Sequence, residues 1–190
     1  MIYKMLSALF NLAIVIIAVK TMRTYLKDTE PKILFRFFTI LSNLLCAFAC
    51  LMVLVFRIVG NVPASVLVLK YVGTSCVTLT FLTVMLFLGP FVYSYKQLLS
   101  GPDLFFHAVN PLLAIVSYLA WDRAQGSFSH VLLGTLPVLL YACLYLKKVV
   151  LDPEEKRWED FYGLNKGHWL FSFIIMVAAG ALISVVLWSF

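Results

Sequence analysis

The chain has 190 residues, of which 63% are hydrophobic and only 13% charged, and its formal net charge is +6. Soluble domains are about half apolar and about a quarter charged, so this composition excludes an ordinary soluble fold. The basic excess does not point to nucleic acid, because the basic residues fall between apolar runs, where they mark one face of a membrane.

The apolar runs are continuous rather than alternating, which excludes a β-barrel and leaves membrane-spanning helices of about 20 residues. The expected fold is all-α: one domain, residues 1–190, forming a bundle of six transmembrane helices. The first span is expected over 5–22. It follows Lys4 and resembles a signal peptide, but no small-x-small cleavage site precedes Lys20, so a retained helix is the better reading. The second span is expected over 37–56, followed by a connection over 57–70, broken by Gly60, Asn61 and Pro63, that runs along the interface to Lys70. The remaining spans are expected over 71–93, 104–121, 131–147 and 169–188. Trp121, Trp169 and Trp188 stand at helix ends, where interfacial aromatics belong.

Between spans 5 and 6 lies the longest polar stretch, Asp152–His168, with Trp158, Phe161 and Tyr162 interspersed. It reads either as a short helix on the membrane surface or as a solvated linker. Loops 1–2, 3–4 and 5–6 hold eleven Lys and Arg residues; the opposite side holds four, namely Lys4, Arg57, Lys70 and Arg123. This bias places those loops in the cytoplasm and both termini outside. Cys46, Cys50, Cys76 and Cys143 all fall inside spans with no CxxC or metal-ligand spacing, so they read as packing residues.

Polar residues within spans mark where chemistry can sit. In span 2, Thr39, Ser42 and Asn43 share one helix face, and in span 4 Asp103, His107, Asn110 and Pro111 do the same. Both helices start from odd-numbered loops, which puts Thr39 and His107 at matching depth near one interface. Pro111 has no N–H for the carbonyl of His107, four residues earlier, so a free carbonyl is expected beside the imidazole. This combination suits acyl transfer: Thr39 as nucleophile, His107 as base, Asp103 orienting the ring, and an amide of Asn43 or Asn110 holding the oxyanion. The structural alternative is that these groups pack helices and bond across them. Span 3, with Gly73, Thr74, Ser75, Thr78, Thr80 and Thr83, reads as a small-residue packing face, with Thr80 or Thr83 as lesser nucleophile candidates. His107, His168 and Asp103 lack metal-site spacing, so no metal or other cofactor is expected, and transporter marks are missing as well.

The FFTILSNLL stretch opening span 2, the threonine-rich span 3 ending in FVY, and the HAVNP stretch of span 4 together resemble the androgen-inducible-gene/ADTRP-like membrane family. The likeness is closer to its small bacterial members. The resemblance implies an intramembrane threonine hydrolase of fatty-acid esters in a bacterial inner membrane, with Thr39 matching the family's nucleophile and His107 its histidine. The family's tyrosine-proline-aromatic stretch between spans 5 and 6 is replaced here by EDFYGLNKG, Glu159–Gly167. The expected partner is a membrane lipid or amphiphilic ester. A non-catalytic lipid-binding or small-molecule transport protein is the rival reading, and neither nucleic acid nor a dedicated protein partner is expected.

Overall fold

The computed structural model describes residues 2–162 and 168–190. Among the described residues six helices are long and apolar enough to cross a membrane: α1 (Ile2–Asp28), α2 (Phe38–Val59), α3 (Ala64–Phe91), α4 (Gly101–Trp121), α5 (Ser129–Leu151) and α6 (Trp169–Ser189). The protein is thus an all-α, multi-pass membrane bundle, and among the described residues there is no strand.

Helix α3 is the hub. It packs against α2, α4, α5 and α6, while α1 lies on α2 and α4, and α5 pairs with α6. Its composition suits that position, since Gly73, Thr74, Ser75, Cys76 and Thr78 are small and all buried. Small side chains let helix backbones approach closely where lipid supplies no hydrophobic drive for association. Around them Tyr71, Tyr118, Tyr141 and Tyr145 form an aromatic core with Phe38, Leu79, Val138 and Ile183.

Two expectations change. The connection expected over 57–70 shrinks to four residues. Helix α2 runs on to Val59, and Gly60 ends it at φ 151°, a conformation that favours glycine. Pro63 then caps α3, which begins at Ala64. Lys70 therefore sits almost two turns inside a membrane helix and is fully buried, not at an interface. The second change concerns the stretch after α5. It is neither a surface helix nor a solvated linker over its described part: after one 3₁₀ turn at Glu154–Lys156 it folds back. Trp158, Phe161 and Tyr162 then pack on the core, because the tyrosine-rich wall offers their rings apolar surface. The Phe161 N–H donates to the Tyr145 hydroxyl at 2.7 Å, which fixes the return. Gly163–Gly167 lie outside the described residues.

Candidate functional site: a lateral cavity beside proline-linked bulges

A cavity of 510 Å³ lies among the start of α2, the second half of α3, and helices α5 and α6. Most of its wall is Leu, Ile, Phe, Val and Met. Leu86, Phe171 and Leu182 on the wall are each more than 60% exposed, so the cavity opens sideways where lipid would stand. Its polar groups are Thr39, Thr80, Thr83, Ser172, Tyr141 and Tyr162, and no charged side chain lines it among the described residues. Burial pushes the Tyr162 phenol up to about 12, so it serves as a neutral hydrogen-bonding group.

Thr39 reaches this wall because it stands in the first turn of α2, an end that no side chain caps. Its expected companions on the helix face go elsewhere. The Ser42 hydroxyl pairs with that of Thr80 at 2.9 Å, on α3. Asn43 turns to α4: its Nδ2 donates to the carbonyls of Thr39 (2.8 Å) and Phe106 (3.0 Å), and its Oδ1 accepts from Asn110 Nδ2 (2.9 Å).

The contact with Phe106 has a cause in the backbone. Residues Phe105–Val109 form a π-turn, in which the Asn110 N–H reaches back five residues to the Phe105 carbonyl. At that offset, the N–H that Pro111 lacks would have served Phe106 rather than His107. The orphaned carbonyl is thus one residue earlier than the α-helical spacing predicts, and Asn43 satisfies it. The same construction occurs twice more. Val84–Leu88 is a π-turn with the Gly89 N–H on the Val84 carbonyl; Pro90 leaves Met85 unserved, and the Tyr95 hydroxyl donates to it at 2.7 Å. The Tyr95 ring fits because a Cβ at Gly89 would come within 2.3 Å of it. Lys147–Leu151 is a third, with Asp152 N–H on Lys147; Pro153 leaves Lys148, and the Trp158 N–H donates to its carbonyl at 3.0 Å. All three stand at helix ends on the side of the odd-numbered loops. A π-turn makes room for the proline ring at the cost of one unserved carbonyl, and such bulges are frequent at functional sites.

The bulge in α4 also separates the groups expected to work together. One extra residue rotates the rest of the helix by about 100° relative to its first turn. Asp103 accepts from the Tyr25 hydroxyl of α1 at 2.5 Å, not from His107. His107, 9% exposed, has its Nδ1 2.7 Å from the Leu98 carbonyl, in the short helix Tyr95–Leu98 between α3 and α4. A carbonyl only accepts, so Nδ1 carries the proton and Nε2 is the basic nitrogen. His107 is not on the cavity wall, and among the described residues no hydrogen bond joins it to Thr39.

The opposite end of the bundle holds a cluster that reading the sequence for nucleophiles and bases passes over. Asp122, fully buried, accepts from Ser7 (2.7 Å), Asn11 (2.7 Å), Ser117 (3.0 Å) and Arg57 (2.6 Å). Burial alone would push its carboxyl up, but the hydrogen bonds from Asn11, Ser7 and Arg57 outweigh it and hold the group below its ordinary value. Lys70 joins through Asn11 Oδ1 at 2.9 Å and also touches Cys50 Sγ at 2.8 Å. The signal in the sequence is Ser7 and Asn11 one turn apart in the otherwise apolar stretch 5–19, facing a lysine and an arginine that flank a very short turn.

No groups of metal-ligating side chains form among the described residues. No family model, curated protein or solved structure matches the chain.

Proposed function

We propose that this chain takes a single-chain, uncharged membrane amphiphile into the lateral cavity, its acyl chain among the apolar wall and its polar group at the hydroxyls beside Thr39. The observation that carries this reading is the cavity itself: apolar, open toward lipid, and polar only through neutral hydroxyls. At 510 Å³ the cavity falls within the roughly 300–1,000 Å³ range of small-ligand pockets, which suits an amphiphile with a single chain. A charged headgroup would meet no counter-ion on the described wall, and a buried unpaired charge is costly.

A second reading goes one step further: hydrolysis of an ester in that amphiphile by Thr39. It is favoured by the hydroxyl's place on the wall, by the basic Nε2 of His107, and by the resemblance to intramembrane threonine hydrolases. The step requires His107 Nε2 to come within hydrogen-bond reach of Thr39, a contact absent among the described residues. Catalytic hydrogen bonds often tighten only when substrate is bound. Orientation belongs to the same proposal. With Lys70 buried inside α3, the even-numbered side keeps Lys4, Arg57 and Arg123 against eleven basic residues, which supports odd-numbered loops in the cytoplasm of a bacterial cell membrane.

Lipid extracted from purified protein tests the binding reading. Neutral single-chain lipid is expected at about one per chain, and Ala179→Trp, which fills the cavity from α6, removes it. Phospholipid alone, unchanged by the substitution, would overturn it. A serine/threonine-directed phosphonate tests hydrolysis: labelling should map to Thr39 and vanish in Thr39→Ala, and labelling that survives there contradicts the nucleophile.

A further inference from the structure

Helices α2 and α3 run antiparallel, and their contact brings together two reactive groups that neither reading of the cavity uses. Lys70 Nζ stands 2.8 Å from Cys50 Sγ, and both residues are fully buried. The buried cluster contains two cations, Lys70 and Arg57, but one carboxylate, Asp122, which Arg57 already engages at 2.6 Å. The direct partners of the Lys70 ammonium are the neutral amide oxygen of Asn11 and the Cys50 sulfur. A buried ammonium needs a counter-charge, and the sulfur in contact with it can supply one as thiolate. Cys46 and Cys76 are equally buried, and Cys143 is exposed, but no hydrogen bond joins any of these three to a cation among the described residues.

We propose that Cys50 and Lys70 form a site of oxidative modification, at which a peroxide links α2 to α3 through a sulfur–nitrogen bond. In the first step the Cys50 thiolate attacks one oxygen of hydrogen peroxide. The S–O bond forms, the O–O bond breaks, and the departing hydroxide takes a proton from the Lys70 ammonium to become water. This leaves a sulfenic acid beside a neutral amine. In the second step the amine lone pair attacks sulfur, the S–O bond breaks, and the hydroxyl leaves with an amine proton as a second water. The sulfur is oxidised by two electrons and the peroxide is reduced. Sulfenic acids condense reversibly with a backbone nitrogen to a sulfenamide, and the Lys70 amine offers a more nucleophilic nitrogen for the same bond. Hydrogen peroxide is uncharged and near water in size, and Arg57, whose side chain is 17% exposed, connects the cluster to the surface.

The test oxidises the purified full chain with hydrogen peroxide, caps remaining thiols with N-ethylmaleimide under denaturing conditions, and maps the digest by mass spectrometry. The expected product joins the Cys50 and Lys70 peptides with a mass two hydrogens below their sum. It disappears with dithiothreitol and does not form in heat-unfolded protein. Lys70→Met should leave Cys50 several-fold less oxidised at the same dose. Recovery of Cys50 as a free thiol at a dose that oxidises Cys143 would overturn the proposal. So would Cys50 oxidised without a link to Lys70, or a Cys46–Cys50 disulfide in its place.

Discussion

The two ends of the bundle handle buried polar groups in opposite ways. At the Asp122 end, donors and acceptor close on one another: four donors from α1, α2 and α4 converge on one carboxylate. At the Thr39 end the backbone itself is opened by three prolines, and each freed carbonyl is met by a donor from elsewhere in the fold. The first arrangement ties α1, α2 and α4 together through one carboxylate. The second places three satisfied proline bulges at the end of the bundle that holds the cavity. Local stability and binding sites tend to separate in this manner, because parts that move are drawn from the less stable end.

That contrast sets the order of expected effects. Removing the shared acceptor should cost most: Asp122→Ala leaves the Arg57 charge and three further donors without their acceptor. Breaking a buried ion pair from one side costs about 3–5 kcal/mol, so the thermal unfolding of this variant in detergent should fall well below that of any variant at the other end. Acid should reach the same carboxylate. The Asp122 carboxyl is held below its ordinary value in the fold, so its contribution is complete above about pH 4 and fades as pH falls through the lower folded value. An unfolding midpoint that is flat from neutral down to about pH 4 and drops below it is the expected profile, with a smaller drop in Asp122→Asn.

At the opened end the effects are smaller and coupled. Asn43→Ala strips the Phe106 carbonyl of its donor, at a cost of about 1–3 kcal/mol. In a Pro111→Ala background the backbone regains an N–H for that carbonyl, so the same substitution should cost less; the difference is a coupling of about 1 kcal/mol in a double-mutant cycle. Additive costs would show that the proline and the asparagine do not serve one carbonyl. Tyr95→Phe should be mildest, about 1 kcal/mol for one hydrogen bond to Met85, with its effect visible as faster amide exchange around Val84–Phe91.

Much of the fold is legible in the sequence, since six uncharged runs of membrane length leave little choice of architecture. The ends are less so. Gly60 and Pro63 read as a long interruption, although each simply finishes one helix or starts the next, and that reading puts Lys70 outside the span that buries it. The π-turns are invisible for a different reason. Gly89-Pro90, Asn110-Pro111 and Asp152-Pro153 announce a break, but whether a helix bends or widens depends on a donor reaching in from another element. Widening moves the orphaned carbonyl from His107 to Phe106 and turns Asp103 toward Tyr25. Asn43 and Asn110 do meet, and it is their amides that bond.

The central claim is that the lateral cavity holds one uncharged acyl-chain amphiphile with its polar group at Thr39. The most direct measurement is photo-crosslinking in membranes with a neutral monoacyl lipid carrying a diazirine along its chain. Adducts are expected on Phe171, Ile175 and Leu182, should be competed by excess unlabelled neutral lipid, and should be lost in Ala179→Trp. Adducts spread evenly over the outer faces of α1 and α5, unaffected by competitor or by that substitution, would contradict it.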